Sequence, residues 1–123
     1  MRFIPSSVHG ALDYLVGLFL ISAPWMLGFS DQSIPATVMI AVGAINLAYS
    51  LLTNYELGLL RLISMPLHLW LDFISGALLA ASPWLFGFSD KVWAPHLMLG
   101  IFEMAAALTS KRQAGNTLPV PAL

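Results

Sequence analysis

The sequence predicts an all-α integral membrane protein, a four-helix bundle made of two parallel two-helix repeats. Hydrophobic residues make up 59% of the 123 residues and charged residues only 9%, whereas a soluble domain usually carries about a quarter charged residues. The chain also contains four apolar segments, and its first half recurs in its second. We therefore expect one membrane domain over residues 1–123, with the lipid bilayer as its main partner.

Each apolar segment is close to the roughly 20 residues that cross about 30 Å of hydrocarbon. The predicted segments are Ser6–Leu27, Pro35–Thr53, Pro66–Phe86 and Trp93–Thr109, of which the last is the shortest. A proline stands at or just before the start of each segment or within its first turn, where a missing N–H costs no hydrogen bond. Ser6 and Ser7 are candidate N-caps of the first helix. Backbone groups in lipid must bond within their own segment, which favours helices.

The repeat is visible when the two halves are aligned. HGALDYLVGLFLISAPWMLGFSD (9–31) and HLWLDFISGALLAASPWLFGFSD (68–90) are identical at 11 of 23 positions, and after a two-residue gap VGAIN (42–46) aligns with LGIFE (99–103). Repeat 1 is therefore predicted over residues 6–53 and repeat 2 over residues 66–110. The intervening segment LTNYELGLLRLISM (52–65) is the only linker, and we interpret its NYELG stretch as a short polar turn.

Charged residues indicate the orientation. A two-helix repeat returns the chain to its starting side, so both repeats point the same way. Arg2, Arg61, Lys111 and Arg112 fall on the side of the termini and linker, and only Lys91 falls on the side of the hairpin turns. The positive-inside rule then predicts a multi-pass protein of the cell (inner) membrane with cytoplasmic N- and C-termini.

The phrase APWMLGFSD (23–31) recurs as SPWLFGFSD (82–90) at the predicted outer ends of the first and third helices. The proline removes a backbone hydrogen bond and kinks or ends the helix, the tryptophan suits the headgroup zone, and the glycine permits a left-handed C-cap. These residues are Pro24, Trp25 and Gly28 in the first copy and Pro83, Trp84 and Gly87 in the second. We interpret the phrase as an exit and turn, with an outer ligand site as the alternative.

This tandem pattern resembles the SPW repeat family of small integral membrane proteins, from about Val8 to Thr109. The resemblance is carried by Ser82-Pro83-Trp84 with Gly87-Phe88 and by Ala23-Pro24-Trp25 with Gly28-Phe29. Ala23 stands where the serine of the family name would be. The resemblance implies a multi-pass bacterial membrane protein and implies no established activity.

Six polar side chains are predicted to form one layer inside the membrane. Four of them lie six or seven residues from the cytoplasmic ends of their helices, at a depth of about 10 Å, and two histidines each precede an aspartate by four residues. The layer consists of His9, Asp13, Asn46, His68, Asp72 and Glu103. Residues four apart share a helix face, and ionisable residues within membrane spans usually face the bundle interior or water.

Several interpretations of this layer remain open. The histidines and aspartates could be hydrogen-bond pairs that lock the bundle, with Asn46 and Glu103 closing networks with a neighbouring hairpin. Shared carboxylates could instead form a proton or cation site. A divalent metal site is a third interpretation, although the Glu-x-x-His pattern of metal-binding bundles is missing. A haem between His9 and His68 is disfavoured by the aspartate one turn from each. We expect no cofactor.

The remaining sequence features mainly exclude functions. The absence of cysteine rules out disulfides and thiolate ligands, the net charge of −1 gives no nucleic-acid surface, and no catalytic triad, phosphate loop or zinc motif is present. We read Gly17 and Gly76 as points of close helix packing and His96 as an interfacial or capping residue. The expected protein is not an enzyme. It is a structural or accessory bundle acting as a homo-oligomer or with a membrane partner; the alternative is a small ion- or proton-coupled transporter.

The predicted orientation can be tested by labelling, because the chain has no native cysteine. A cysteine introduced at Ser89 should react with an impermeant maleimide in intact cells, since the turns at Ser30 and Ser89 are predicted outside. A cysteine at Thr117 should react only after the membrane is opened. The reverse pattern would place the polar layer in the outer half of the membrane.

Overall fold

The computed structural model describes residues 1–113 of the chain. Within these residues the structure is all-α, and its four helices are α1 Ser6–Met26, α2 Ser33–Leu51, α3 Met65–Leu85 and α4 Ala94–Thr109. The predicted four-helix bundle is confirmed, and every helix boundary lies within two residues of its prediction. The C-terminus and Thr117, both predicted to be cytoplasmic, lie outside the described residues.

The helices differ in their ability to cross a membrane. Helices α1, α2 and α3 have 21, 19 and 21 residues and are long and apolar enough to span it. Helix α4 is also apolar but has only 16 residues, or roughly 24 Å at about 1.5 Å per residue. It packs along α3, as α1 packs along α2, and the two hairpins meet mainly where α2 contacts α3.

Glycines set the close approach within each hairpin. A Cβ atom on Gly43 would lie 2.9 Å from the carbonyl oxygen of Gly17, and one on Gly76 would lie 2.7 Å from that of Gly100. Neither separation leaves room for a side chain. In each hairpin, the glycine predicted to allow close packing therefore lies against a glycine of the other helix. Gly17 faces Gly43, and Gly76 faces Gly100.

The repeated phrase terminates the first helix of each hairpin, α1 or α3, where the turn begins. Gly28 has φ 79°, and the N–H of Phe29 donates to the carbonyl oxygen of Pro24 at 2.8 Å. The second copy has the same geometry, with φ 73° and a 2.7 Å hydrogen bond, at Pro83, Gly87 and Phe88. This left-handed glycine with its backward hydrogen bond is a Schellman closure, as predicted for a glycine C-cap.

The prolines of the phrase do not end their helices. Helix α1 continues through Pro24 to Met26, and α3 continues through Pro83 to Leu85. Of the two predicted effects of the proline, kinking or ending the helix, the second is therefore wrong, because the glycine four residues later supplies the termination. Trp25 is 64% exposed and projects from the bundle surface, as Trp84 does.

The helix starts differ from the predicted caps. Pro5, and neither Ser6 nor Ser7, occupies the N-cap position of α1, where no side-chain cap bond forms. The hydroxyl of Ser6 instead donates to the carboxylate of Glu56 at 2.8 Å. The linker is therefore hydrogen-bonded to the start of α1.

The repeat extends beyond the helices. Ile4 forms a parallel bridge with Ser110, and Ile63 forms the equivalent bridge with Thr53. The N–H groups of residues 3 and 4 donate to the carbonyl oxygen of Thr109, as those of residues 62 and 63 donate to that of residue 52. The N-terminal segment thus closes onto the end of α4 as the linker closes onto the end of α2.

Candidate functional site

Four ionisable side chains meet inside the bundle, between the two hairpins and near the end at which α1 and α3 begin. The exposed fractions of His9, Asp13, His68 and Asp72 are 1%, 6%, 0% and 2%. One nitrogen or oxygen atom from each of the four lies within 4.8 Å of the others. The structure therefore brings four of the six predicted layer residues into direct contact, and we call them the central cluster.

The shortest contacts of the central cluster join the two repeats. Nε2 of His9 lies 2.7 Å from Oδ2 of Asp72, and Nε2 of His68 lies 2.9 Å from Oδ2 of Asp13. The contacts within one helix, from His9 to Asp13 and from His68 to Asp72, measure 3.2 Å and 3.1 Å. Each imidazole thus lies between both carboxylates, whereas the four-residue spacing pointed only to the contacts within a helix.

The outer ring nitrogens contact hydroxyl groups at the ends of the second helices. Nδ1 of His68 lies 2.7 Å from Oγ1 of Thr53, and Nδ1 of His9 lies 2.7 Å from Oγ of Ser110. The hydroxyl of Thr53 donates to the carbonyl oxygen of Tyr49 at 2.7 Å. Because a hydroxyl has only one hydrogen, Oγ1 must accept from His68, which therefore carries a proton on Nδ1.

Two tyrosines that the sequence analysis did not single out complete the carboxylate contacts. The hydroxyl of Tyr49 donates to Oδ1 of Asp72 at 2.6 Å, and that of Tyr55 donates to Oδ2 of Asp13 at 2.9 Å. Burial, together with the nearby Asp13 carboxylate, raises the pKa of Tyr55, so its hydroxyl remains a donor.

The position of Tyr55 shows that the segment NYELG (54–58) is more than a polar surface turn. This side chain belongs to the NYELG stretch, predicted to be a polar turn, yet it is fully buried. It packs with Met65 and Leu69 of α3. The aromatic side chain within the polar stretch was the available signal. Tyr49 could have been found because it follows Asn46 by three residues on one helix face.

The last two layer residues are bonded within their own hairpins. Asn46 donates to the hydroxyl of Tyr49 at 3.4 Å, and Oε2 of Glu103 accepts from the hydroxyl of Ser75 at 3.2 Å. The hydroxyl of Tyr49 also contacts Asp72 and Ser75, so both residues belong to a network that joins the two hairpins, as expected, although neither bonds directly to the neighbouring hairpin. Oε1 of Glu103 is buried without a hydrogen-bond partner among the described residues.

A small cavity adjoins the central cluster. It has a volume of about 10 Å³ and is lined by residues of all four helices, including His9, Asp72, Asn46 and Glu103. A cavity of this size is at the lower limit for one water molecule.

His96 makes a second junction at the opposite end of the bundle. It is fully buried, and Nε2 donates to the carbonyl oxygen of Pro35 at 3.0 Å. Its ring centroid lies 5.5 Å from that of Phe29 and 4.9 Å from that of Phe88. The interpretation of His96 as an interfacial or capping residue is wrong, because the ring is buried between the two turn phrases and none of the described side chains caps the start of α4.

The fold and the buried centre define an integral membrane protein made of two tandem helical hairpins. A family model described as the SPW repeat domain matches residues 7–110. The chain belongs to the SPW repeat family, as the resemblance of its two Pro-Trp phrases implied. No significant match was found among curated proteins or among solved structures.

The contacts between the repeats predict that the stability losses caused by mutating His9 and Asp72 are not additive. The changes His9→Ala and Asp72→Ala should each lower the thermal midpoint in detergent by several degrees, because each removes a 2.7 Å hydrogen bond from a buried partner. The double variant should lose less than the sum, with a coupling on the order of 1–3 kcal/mol. The coupling between His9 and Asp13 should be smaller.

The matched control is Ser22→Ala, because that hydroxyl donates only to a carbonyl of its own helix on the exposed surface. This change should leave the thermal midpoint unchanged. Strictly additive losses for His9 and Asp72 would contradict the observed contact.

Proposed function

We propose that the protein is a non-catalytic structural or accessory unit of the membrane, acting through self-association or a membrane-protein partner. The observation that carries this proposal is the saturation of the central cluster. Its histidines and aspartates bond to one another, to tyrosines and to hydroxyl groups at distances of 2.6–3.2 Å. Such an arrangement holds two hairpins together and offers a substrate little access.

The surface of the bundle supports an interaction role. Trp70, Ile74 and Leu78 are four residues apart along α3 and are 64%, 59% and 44% exposed. Side chains at this spacing form one apolar face. Lipid covers such a face in a monomer, and an apolar helix of a second copy or a partner can replace the lipid.

We further propose that the protein lies in the inner membrane with the N-terminus in the cytoplasm. The described segments that carry Arg2 and Arg61 close onto the ends of α4 and α2 through equivalent backbone hydrogen bonds. Lys91 lies in the turn between α3 and α4, at the other end of the helices. The positive-inside rule supports this orientation.

A second candidate is a small ion- or proton-coupled transporter. The observation that favours it is Oε1 of Glu103, which has no hydrogen-bond partner in the described part of the chain and belongs to a residue that lines the cavity. Glu103 is also connected to Asp72 through the hydroxyl groups of Ser75 and Tyr49. Chains of Asp, Glu and His side chains relay protons in membrane pumps and transporters.

Two measurements on the purified protein distinguish these functions. Cross-linking in native membranes followed by mass spectrometry should give a homo-oligomer or one recurrent membrane partner. In liposomes under a pH gradient, the parent protein and Asp72→Asn should give the same proton flux as empty vesicles. Asp90→Asn, in an exposed turn, is the matched control.

The opposite result would favour transport. A flux that the parent protein supports, that Asp72→Asn abolishes and that Asp90→Asn preserves would contradict a purely structural role. A monomer without cross-linked partners would remove the support for an interaction function.

A further inference from the structure

The central cluster presents a set of atoms suited to a metal ion. Its four residues supply two imidazole nitrogens and two carboxylates, with one such atom from each within 4.8 Å of the others. Mixed imidazole and carboxylate sets suit divalent ions of the first transition series. We propose that His9, Asp13, His68 and Asp72 bind one divalent transition-metal ion between the two repeats. This inference goes beyond the proposed accessory function and does not depend on it.

The spacing of the ligand atoms fits such an ion. The four nitrogen–oxygen separations around the cluster are 2.7, 3.1, 2.9 and 3.2 Å. Two ligands about 2.1 Å from an ion and about 90° apart are separated by about 3.0 Å, whereas a tetrahedral angle requires about 3.4 Å. Right-angle coordination thus needs shifts of only a few tenths of an ångström.

The carboxylates differ in how they face the site. Asp13 presents Oδ1 to His9 and Oδ2 to His68, so it can bind an ion with both oxygens. Asp72 presents Oδ2 to both histidines, while its Oδ1 accepts from Tyr49. One chelating and one single-oxygen carboxylate, together with two nitrogens, give five ligand atoms.

The protonation of His68 matches that of a metal ligand. Thr53 requires a proton on Nδ1, and Nε2 faces the two carboxylates. Histidines that bind metals donate their other N–H to an oxygen acceptor, which fixes the tautomer and the ring orientation. Nε2 of His68 can then hold either a proton or the ion. Nδ1 of His9 has an equivalent oxygen partner in Ser110.

Glu103 provides an independent observation beside the cluster. Its side chain is 5% exposed, Oε1 has no hydrogen-bond partner among residues 1–113, and the residue lines the same small cavity as His9 and Asp72. A water in that cavity, bound to the ion and to Oε1, would supply a sixth ligand and satisfy the carboxylate. This would explain why a free oxygen is retained in the interior.

The charge of the central cluster also suits a divalent ion. Two aspartates neutralise two positive charges when both histidines are neutral. A neutral centre avoids the high cost of an uncompensated charge in the membrane interior. The nitrogen ligands disfavour Mg²⁺ and Ca²⁺, which prefer oxygen.

Cobalt binding tests the proposal directly. The full-length protein, purified in detergent without a histidine tag and stripped with a chelator, should bind one Co²⁺ per chain with visible d–d absorption. Zn²⁺ should displace the Co²⁺. Thr53→Val should weaken binding by about 10-fold or more, since groups that accept the other N–H of a metal-binding histidine contribute about 10–100-fold to affinity. His68→Gln should abolish the absorption, and Asp90→Asn should leave it unchanged.

Each outcome bears on the site itself. Circular dichroism and gel filtration show whether the variants fold. If a variant does not fold, Co²⁺ binding by the parent protein still tests the proposal. A folded, stripped parent protein that binds no Co²⁺ and no Zn²⁺ overturns the proposal. So does Co²⁺ binding that a folded His68→Gln variant retains. Neither result affects the proposed accessory role, which depends on partners.

Discussion

The bundle depends on one constraint, which is that charged side chains in an apolar interior must find partners. Each hairpin contributes one histidine and one aspartate, and alone it would leave these groups in contact only with each other and with lipid. The contact of His9 with Asp72 and of His68 with Asp13 satisfies them across the interface. Leaving one such group unpaired costs several kcal/mol. The two repeats therefore complete each other.

The duplication is preserved at the central cluster and has diverged around it. The histidines, the aspartates and the terminal hydroxyl groups match in both repeats, but Tyr49 aligns with Ala106, and Ser75 aligns with Val16. Asn46 likewise aligns with Glu103. Val16, Ala106, Asn46 and Glu103 all line the small cavity. Each of these four cavity-lining residues therefore differs from its counterpart in the other repeat, whereas the residues of the central cluster do not.

Local patterns predicted the local structure. Apolar segment length, the repeated phrase and the glycines gave the four helices, the tandem architecture and the close packing within each hairpin, because each of these depends on nearby residues. The four-residue spacing placed His9 with Asp13 but could not show that Asp72 comes closer, since that contact depends on how the hairpins dock. Tyr55 was missed because its surroundings in the sequence are polar.

The sequence repeat also includes the residues that precede α1 and α3. Arg2-Phe3-Ile4 recurs as Arg61-Leu62-Ile63, 59 residues later, and both copies make the same backbone contacts. Extending the repeat alignment to these residues would have predicted that the N-terminal segment and the end of the linker have equivalent positions in the two repeats. His96 could not be placed in the same way, because Met39 occupies the aligned position and no repeated histidine points to the junction.

The contact between repeats is tested most directly by a distance measurement in a bilayer. Ligating residues 1–57, labelled with ¹⁵N-histidine, to residues 58–123, labelled with ¹³C-aspartate, leaves His9 as the only labelled histidine and Asp72 and Asp90 as the only labelled aspartates. With Nε2 and Oδ2 2.7 Å apart, solid-state NMR should detect a nitrogen–carboxyl carbon separation below about 4 Å. The absence of dipolar coupling in the folded, ligated protein would contradict the account.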